Sequence, residues 1–293
     1  MAKKKSKKTE KPPLPRQLNY AEGSYLESTS QPLYALLFLL PLIVVYELGT
    51  LWVNTQHIEQ TLVQRRVVAF IWLSKLAQGV GIEPSWAWAF PGIVVLVILL
   101  AWHVAARKSW NIHLPWLGWM TLESLVLALP LLAVNAAMGS SARVTSAAAQ
   151  AALNAPSATA IIAQTATGAL NNGHSYLAHL VTGIGAGIYE ELVFRLILIG
   201  LIIMILEDLL KVKADIAAAV AIILSALLFS AHHYVGVNGR ELVLLKAEPF
   251  TMLSFVFRAA AGVYFAILFR YRGYGITAGA HAAYNIVLRT LWP

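Results

Sequence analysis

Two adjacent carboxylates interrupt a long apolar stretch of the chain. Glu190 and Glu191 follow one another, and Arg195 lies four residues after Glu191. Residues four apart share one face of an α-helix, so Glu191 and Arg195 can form an intrahelical ion pair. Glu190 points about 100° away from Glu191 and lacks that partner. The spacing therefore predicts one neutralised carboxylate beside one that is free to act as a base.

Two further motifs place polar side chains on apolar segments at the same spacing. Phe229 and His233 are four residues apart, and so are His281 and Asn285. The histidine and the asparagine lie on adjacent turns, from which both can donate hydrogen bonds toward one point. A developing oxyanion requires that arrangement.

These side chains are costly to bury separately, because a charged group at the centre of a membrane helix costs about 2.5–3.5 kcal/mol on insertion scales. We therefore expect them to converge on one polar cavity. There Glu190 and His233 could activate water while His281 and Asn285 stabilise charge on a carbonyl oxygen. Alternatively, a glutamate and two histidines could hold a metal ion that activates the water.

The composition identifies the medium that surrounds these residues. Apolar residues make up 58% of the 293 residues and charged residues only 12%, against about 25% charged residues in soluble domains. A soluble two-domain protein and a disordered chain are excluded. The absence of cysteine excludes a disulfide scaffold and thiol catalysis.

Seven apolar stretches are long enough to cross a bilayer core about 30 Å thick. They are Pro32–Val53, Trp86–Ala106, Trp116–Met138, Tyr176–Leu206, Ile216–Val235, Met252–Phe269 and Ile276–Leu291. An eighth candidate, Val67–Val80, is short and contains Lys75, so it is interfacial, re-entrant or spanning. We predict an all-α fold: a polytopic membrane helix bundle of about seven to eight transmembrane helices.

The chain divides into four predicted regions. Residues 1–31 form a disordered basic tail, residues 32–138 the N-terminal transmembrane helices, residues 139–175 a loop rich in alanine, serine and threonine, and residues 176–293 the catalytic core. The net charge of +8 is concentrated in the tail, which indicates membrane lipid as a partner and no nucleic acid. By the positive-inside rule the tail is cytoplasmic. The sequence indicates no particular oligomeric state.

At its polar motifs the chain resembles the CPBP family of intramembrane proteases, also called the ABI family or type II CAAX prenyl endopeptidases. The family pattern is Glu-Glu-x-x-x-Arg, then Phe-x-x-x-His, then His-x-x-x-Asn or Asp. This chain matches it in order with Glu190 and Glu191 followed by Arg195, with Phe229 followed by His233, and with His281 followed by Asn285. His232 precedes His233, but only His233 has the family spacing from Phe229. The resemblance covers roughly residues 176–292.

The resemblance implies an intramembrane endopeptidase of a bacterial inner membrane that cleaves a membrane-associated or prenylated-type peptide or protein. In this scheme Glu190 and His233 activate water, and His281 and Asn285 form the oxyanion site. Glu191, Arg195 and Phe229 have supporting roles. The family has been described both as metalloproteases and as metal-free glutamate proteases.

We favour the glutamate type without a cofactor, because only Glu190 and His233 remain as firm metal ligands once His281 and Asn285 serve the oxyanion. If the enzyme is metal-dependent, we expect Glu190, His233 and His281 to hold zinc. An alternative from another class is a non-hydrolytic membrane protein, such as a proton-coupled transporter or a bacteriocin-immunity or scaffold protein. It would use the same buried polar cluster for ion or partner binding.

Overall fold

The computed structural model describes residues 20–56, 68–83, 86, 89–151, 176–238, 241–244 and 250–291, and these residues are almost entirely helical. We label the helices in chain order. They are α1 (Tyr25–Thr29), α2 (Pro32–Gln56), α3 (Val68–Gly79), α4 (Phe90–Ala106), α5 (Pro115–Ala151), α6 (residues 176–209), α7 (Ala214–His232) and α8 (Met252–Leu291). A short hairpin of β1 (Val235–Asn238) and β2 (Glu241–Leu244) follows α7.

The helices form the membrane bundle expected from the sequence. Among the described residues, α2, the Pro115–Met138 part of α5, α7 and α8 are long and apolar enough to cross a membrane, and α4 is a shorter apolar helix. Their outward faces carry exposed leucine, isoleucine and valine side chains, such as Leu48, Val97 and Ile223. Lipid in place of water makes such a surface stable. The all-α membrane fold is thereby confirmed.

Helix α3 corresponds to the eighth candidate span. It has 12 residues, so at 1.5 Å per residue it is about 18 Å long. That length is too short to cross a bilayer core of about 30 Å. It packs against α4 and the central part of α6.

Helix α8 consists of two segments separated at Gly273, where the backbone adopts φ 75° and ψ 179°. Only glycine adopts this conformation without strain, and a Cβ there would also meet the Ser30 carbonyl oxygen at 2.7 Å. The first segment, residues 252–272, runs antiparallel to α7, and the second, residues 274–291, runs antiparallel to α6. The two segments therefore correspond to the last two spans expected from the sequence.

Helix α6 is widened by π-helical turns over Ala186–Glu190, Leu192–Ile199 and Met204–Leu209. Hydroxyl groups from neighbouring helices donate to two of its carbonyls: Tyr274 to that of Ile188 at 2.8 Å and Ser225 to that of Phe194 at 2.7 Å. These bonds satisfy backbone groups that lipid could not. Such π-turns are frequent at functional sites.

Glycine lets the neighbouring helices approach α6 closely. A Cβ at Gly187 would collide with backbone atoms of Ala278 and Ala282 on α8, and one at Gly185 would collide with the ring of Tyr46 on α2. The second segment of α8, which carries the His281 motif, can therefore lie directly against the helix that carries the glutamates.

A polar cluster joins α1, α5 and the kink of α8 at one end of the bundle. The guanidinium of Arg272 forms a salt bridge with Glu123 and donates hydrogen bonds to the hydroxyls of Thr29 and Ser30, both at 2.9 Å. The hydroxyl of Tyr25 donates to Glu123 at 2.6 Å. These contacts fix the start of the described chain against the C-terminal half of the bundle.

Three features of the structure differ from what the sequence led us to expect. Helix α1 lies within residues 1–31, which were assigned to the tail, and α5 continues to Ala151, into the segment 139–175 that was assigned to a loop. The β-hairpin was not predicted. Residues 1–19 and 152–175 lie outside the described part of the chain.

Candidate active site

The two motif carboxylates lie inside the bundle. Glu190 is 7% exposed and Glu191 is fully buried. They face a space bounded by α7 and the second segment of α8, and α3 covers the same part of α6. A lipid-embedded helix supports two adjacent carboxylates only where protein groups surround them.

Glu191 forms the intrahelical ion pair that its spacing allows. Its Oε2 lies 3.0 Å from Nε of Arg195, and both side chains are fully buried. The guanidinium also donates to the Gly262 carbonyl at 3.1 Å and lies 4.2 Å above the centre of the Phe229 ring. Arg195 is therefore held by a carboxylate, a carbonyl and an aromatic face, which together offset its burial.

The second oxygen of Glu191 orients His281. The Nδ1 of His281 donates to Oε1 of Glu191 at 2.8 Å. This bond defines the tautomer and turns Nε2 toward the other glutamate, and Nε2 lies 3.9 Å from Oε2 of Glu190. The imidazole of His281 thus stands between the two carboxylates.

The two neighbouring histidines are bound by one backbone carbonyl. Nδ1 of His232 and Nδ1 of His233 both donate to the oxygen of Phe229, at 2.5 Å and 2.8 Å. This carbonyl is available because α7 ends at His232, and the last four carbonyls of a helix have no intrahelical partner. Both histidines therefore keep the lone pair on Nε2.

Both histidines come close to Glu190. Nε2 of His232 lies 3.6 Å from Oε1 of Glu190, and one potential ligand atom from each of Glu190, His232 and His233 lies within 4.8 Å of the others. His232 is 5% exposed, whereas His233 is half-buried. The assignment of His233 as the partner of Glu190 stays a prediction.

Asn285 lies one turn beyond His281, on the part of α8 that packs against Gly183. It is half-buried and, within the described residues, makes no hydrogen bond to the cluster. Its amide is on the same face of the helix as His281. An oxyanion role for Asn285 therefore stays a prediction, as does that of His281.

The donor set fits a zinc ion. Catalytic zinc sites use three protein ligands from histidine and carboxylate, and Glu190, His232 and His233 provide three donors with available lone pairs. If bound there, zinc would lower the pKa of a water molecule and so supply a nucleophile near neutral pH. This set differs from the expected one, since it contains His232 in place of His281.

The sequence did not single out two contributions to this site. One is the bond from Glu191 to His281, because no spacing rule links residues on helices that meet only after folding. The other is the packing of Trp72 of α3 against His232, with ring centres 6.1 Å apart. Trp72 lies on a short apolar helix and has no motif that could have identified it.

Comparison with known proteins gives a match to a family model. Residues 172–287 match the family model described as "Type II CAAX prenyl endopeptidase Rce1-like". No curated protein matches the chain significantly, and no solved structure does. The matched segment contains α6, α7, the first segment of α8 and the second segment as far as residue 287, and with them every glutamate, histidine and arginine of the site.

The site is a cluster of glutamates and histidines enclosed by a membrane bundle. Over residues 172–287 the chain is similar to the CPBP family of CAAX-type intramembrane proteases. The resemblance expected from the three motifs is confirmed.

Proposed function

We propose that this protein cleaves peptide bonds of a membrane-associated or prenylated-type substrate with a water molecule activated by Glu190 and His233. The observation that carries the proposal is the convergence of Glu190, His232, His233 and His281 from three helices on one buried point. A relay for ion transport would extend through the bundle, whereas this cluster is compact. Hydrolysis is therefore favoured over the transport alternative.

In the proposed reaction Glu190 accepts a proton from water while Nε2 of His233 accepts a hydrogen bond from the same water. The water oxygen bonds to the carbonyl carbon of the scissile peptide, and an electron pair moves onto the carbonyl oxygen. When the tetrahedral intermediate collapses, the C–N bond breaks and the proton held by Glu190 passes to the leaving nitrogen. The products are a carboxylic acid, which then releases its proton to water, and a free amine.

His281 and Asn285 would stabilise the oxyanion. Because Nδ1 of His281 donates to Glu191, Nε2 can donate to an oxyanion only when the imidazole is protonated. Glu191 stabilises that imidazolium, and Glu190 lies on its other side. The proposed oxyanion donor is therefore cationic, and it is oriented by Glu191.

The test uses the purified protein in lipid nanodiscs and an internally quenched peptide that ends in a farnesylated CAAX sequence. We expect Glu190→Gln to reduce cleavage at least about 100-fold, the usual contribution of a general base. Asp208→Asn is the matched control, because Asp208 is an exposed acid on the same helix. Full activity in folded Glu190→Gln protein would contradict the proposal. Comparison of membrane peptides from cells with wild-type or Glu190→Gln protein would identify the natural substrate.

We further propose that the reaction is of the glutamate type and needs no metal. The expected result is that enzyme treated with a strong chelator, and shown by elemental analysis to lack zinc, retains full cleavage of the same peptide. Loss of activity on chelation with recovery on added zinc would contradict this proposal. It would instead support the zinc site formed by Glu190, His232 and His233.

A further inference from the structure

Helix α3 lies outside the family-matched segment, yet it packs aromatic rings beside both Glu190 and His232. Phe70 is fully buried, and its ring centre lies 5.1 Å from that of Tyr189, the residue before Glu190. Trp72, two residues later, is in edge contact with His232 at 6.1 Å and lies 6.5 Å from Phe194. Among the described aromatic rings of α1–α5, that of Trp72 is the one that packs against His232.

The ring of His232 is enclosed on several sides. Phe194 packs against it with ring centres 4.6 Å apart, and Phe229 at 5.4 Å. The hydrogen bond to the Phe229 carbonyl fixes Nδ1, but one bond leaves the ring free to tilt about that atom. Contacts on the faces and edges are needed to hold Nε2 at 3.6 Å from Glu190.

Trp72 provides a contact to His232 from a helix other than α6 and α7. Phe194 and Phe229 belong to α6 and α7, so they move with Glu190 and His232 themselves. Trp72 approaches from a separate helix and touches both His232 and Phe194. Leu76, one turn further along the same face of α3, is 61% exposed. The contact of this face with the site is therefore confined to the turn that contains Trp72.

We propose that Trp72 is a positioning residue for Glu190: it holds the ring of His232 in place beside that carboxylate, the proposed general base, so that α3 is part of the active site. The proposal rests on the function proposed above for Glu190. It assigns a catalytic requirement to a residue outside the segment 172–287.

The first experiment is kinetic and uses the farnesylated peptide with wild-type protein and the Trp72→Ala, Trp72→Phe and Leu76→Ala variants. Displacing a catalytic group by about 1 Å costs up to 100-fold in rate. Because Trp72→Ala would let His232 move and Glu190 shift with it, we expect this variant to lower kcat by about 10-fold or more. KM should stay near the wild-type value, because Trp72 acts on His232 and not on bound substrate. Trp72→Phe should restore most of kcat, and Leu76→Ala should leave it unchanged.

The second experiment needs no activity. The protein is labelled with ¹³C at histidine Cε1, and the His232 resonance is assigned by its loss in His232→Gln. We expect Trp72→Ala to shift the His232 resonance, since an indole ring in edge contact perturbs it, and to leave His103 and His113 unshifted. Leu76→Ala should shift none of them. This measurement stays informative even if the peptide is not cleaved and the proposed function fails.

Trp72 would not be a positioning residue if Trp72→Ala kept wild-type kcat, or if the His232 resonance did not move. A rise in KM alone would also overturn the proposal, because it would place Trp72 in substrate binding. A fall in kcat accompanied by a lower unfolding temperature, with no rescue by Trp72→Phe, would show a purely structural role.

Discussion

At the scale of single residues, the two adjacent glutamates have different neighbours. Glu191 is enclosed by Arg195 and His281, each bound to one of its oxygens. Glu190 lies 3.6 Å from His232 and 3.9 Å from His281. We therefore expect Glu191 to support structure and orientation, and Glu190 to take part in the proposed chemistry.

This difference predicts opposite responses to the same substitution. Glu191→Gln removes the countercharge of buried Arg195, and breaking a buried ion pair costs about 3–5 kcal/mol. We expect a clearly lower unfolding temperature in detergent together with lost activity. Glu190→Gln should lose activity while its unfolding temperature stays close to wild type. Equal unfolding temperatures for the two variants would show that Glu191 does not support the fold as described.

At the scale of elements, the break in α8 decides where the His281 motif lies. The kink at Gly273 reverses the chain, so that one segment packs on α7 and the other on α6. Arg272, next to the kink, is bound to Glu123 and to the hydroxyls of α1. The kink is thus fixed from both the N-terminal helix and α5.

Substitution of the kink glycine should destabilise the protein. Gly273→Ala would impose a positive φ on alanine and bring its Cβ against the Ser30 carbonyl, which we expect to cost about 1–3 kcal/mol. Gly200→Ala on α6 is the matched control, because its Cβ would meet open space. Thermal unfolding in detergent measures both. Equal stability of the two variants would contradict the role given to Gly273.

At the scale of the whole molecule, several basic residues lie at one end of the bundle. The end that contains the Arg272 cluster also holds Lys108, which forms a salt bridge with Glu27 at 3.1 Å. The first segment of α8 runs antiparallel to α7, so Arg272 at its end lies near Lys211 and Lys213, just before α7. These basic residues therefore share one end of the structure, and the positive-inside rule predicts that this end is cytoplasmic.

The natural absence of cysteine allows a direct test of that orientation. Ser109→Cys places a thiol in the exposed connection between α4 and α5, and Phe250→Cys places one at the opposite end, before α8. In intact bacterial cells we expect a membrane-impermeant maleimide to label the Phe250→Cys variant only. Opening the cells should make Ser109→Cys reactive. The reverse pattern would place the N-terminus outside.

The sequence by itself determined the membrane class, the helical spans and the motif residues. Scarce charge and long apolar runs leave few alternatives in lipid, where backbone groups must be satisfied within helices. The i, i+4 spacing likewise determined the pairing of Glu191 with Arg195, because both lie on one helix.

Only the tertiary structure decided which groups meet across helices. Glu191 meets His281 because Gly187 lets α8 lie against α6, and His232 shares the Phe229 carbonyl because α7 ends at that point. The contact of Trp72 with His232 joins residues 160 positions apart, on helices that no motif connects. Such contacts depend on how helices pack and where they end, whereas local spacing describes only the faces of a single helix.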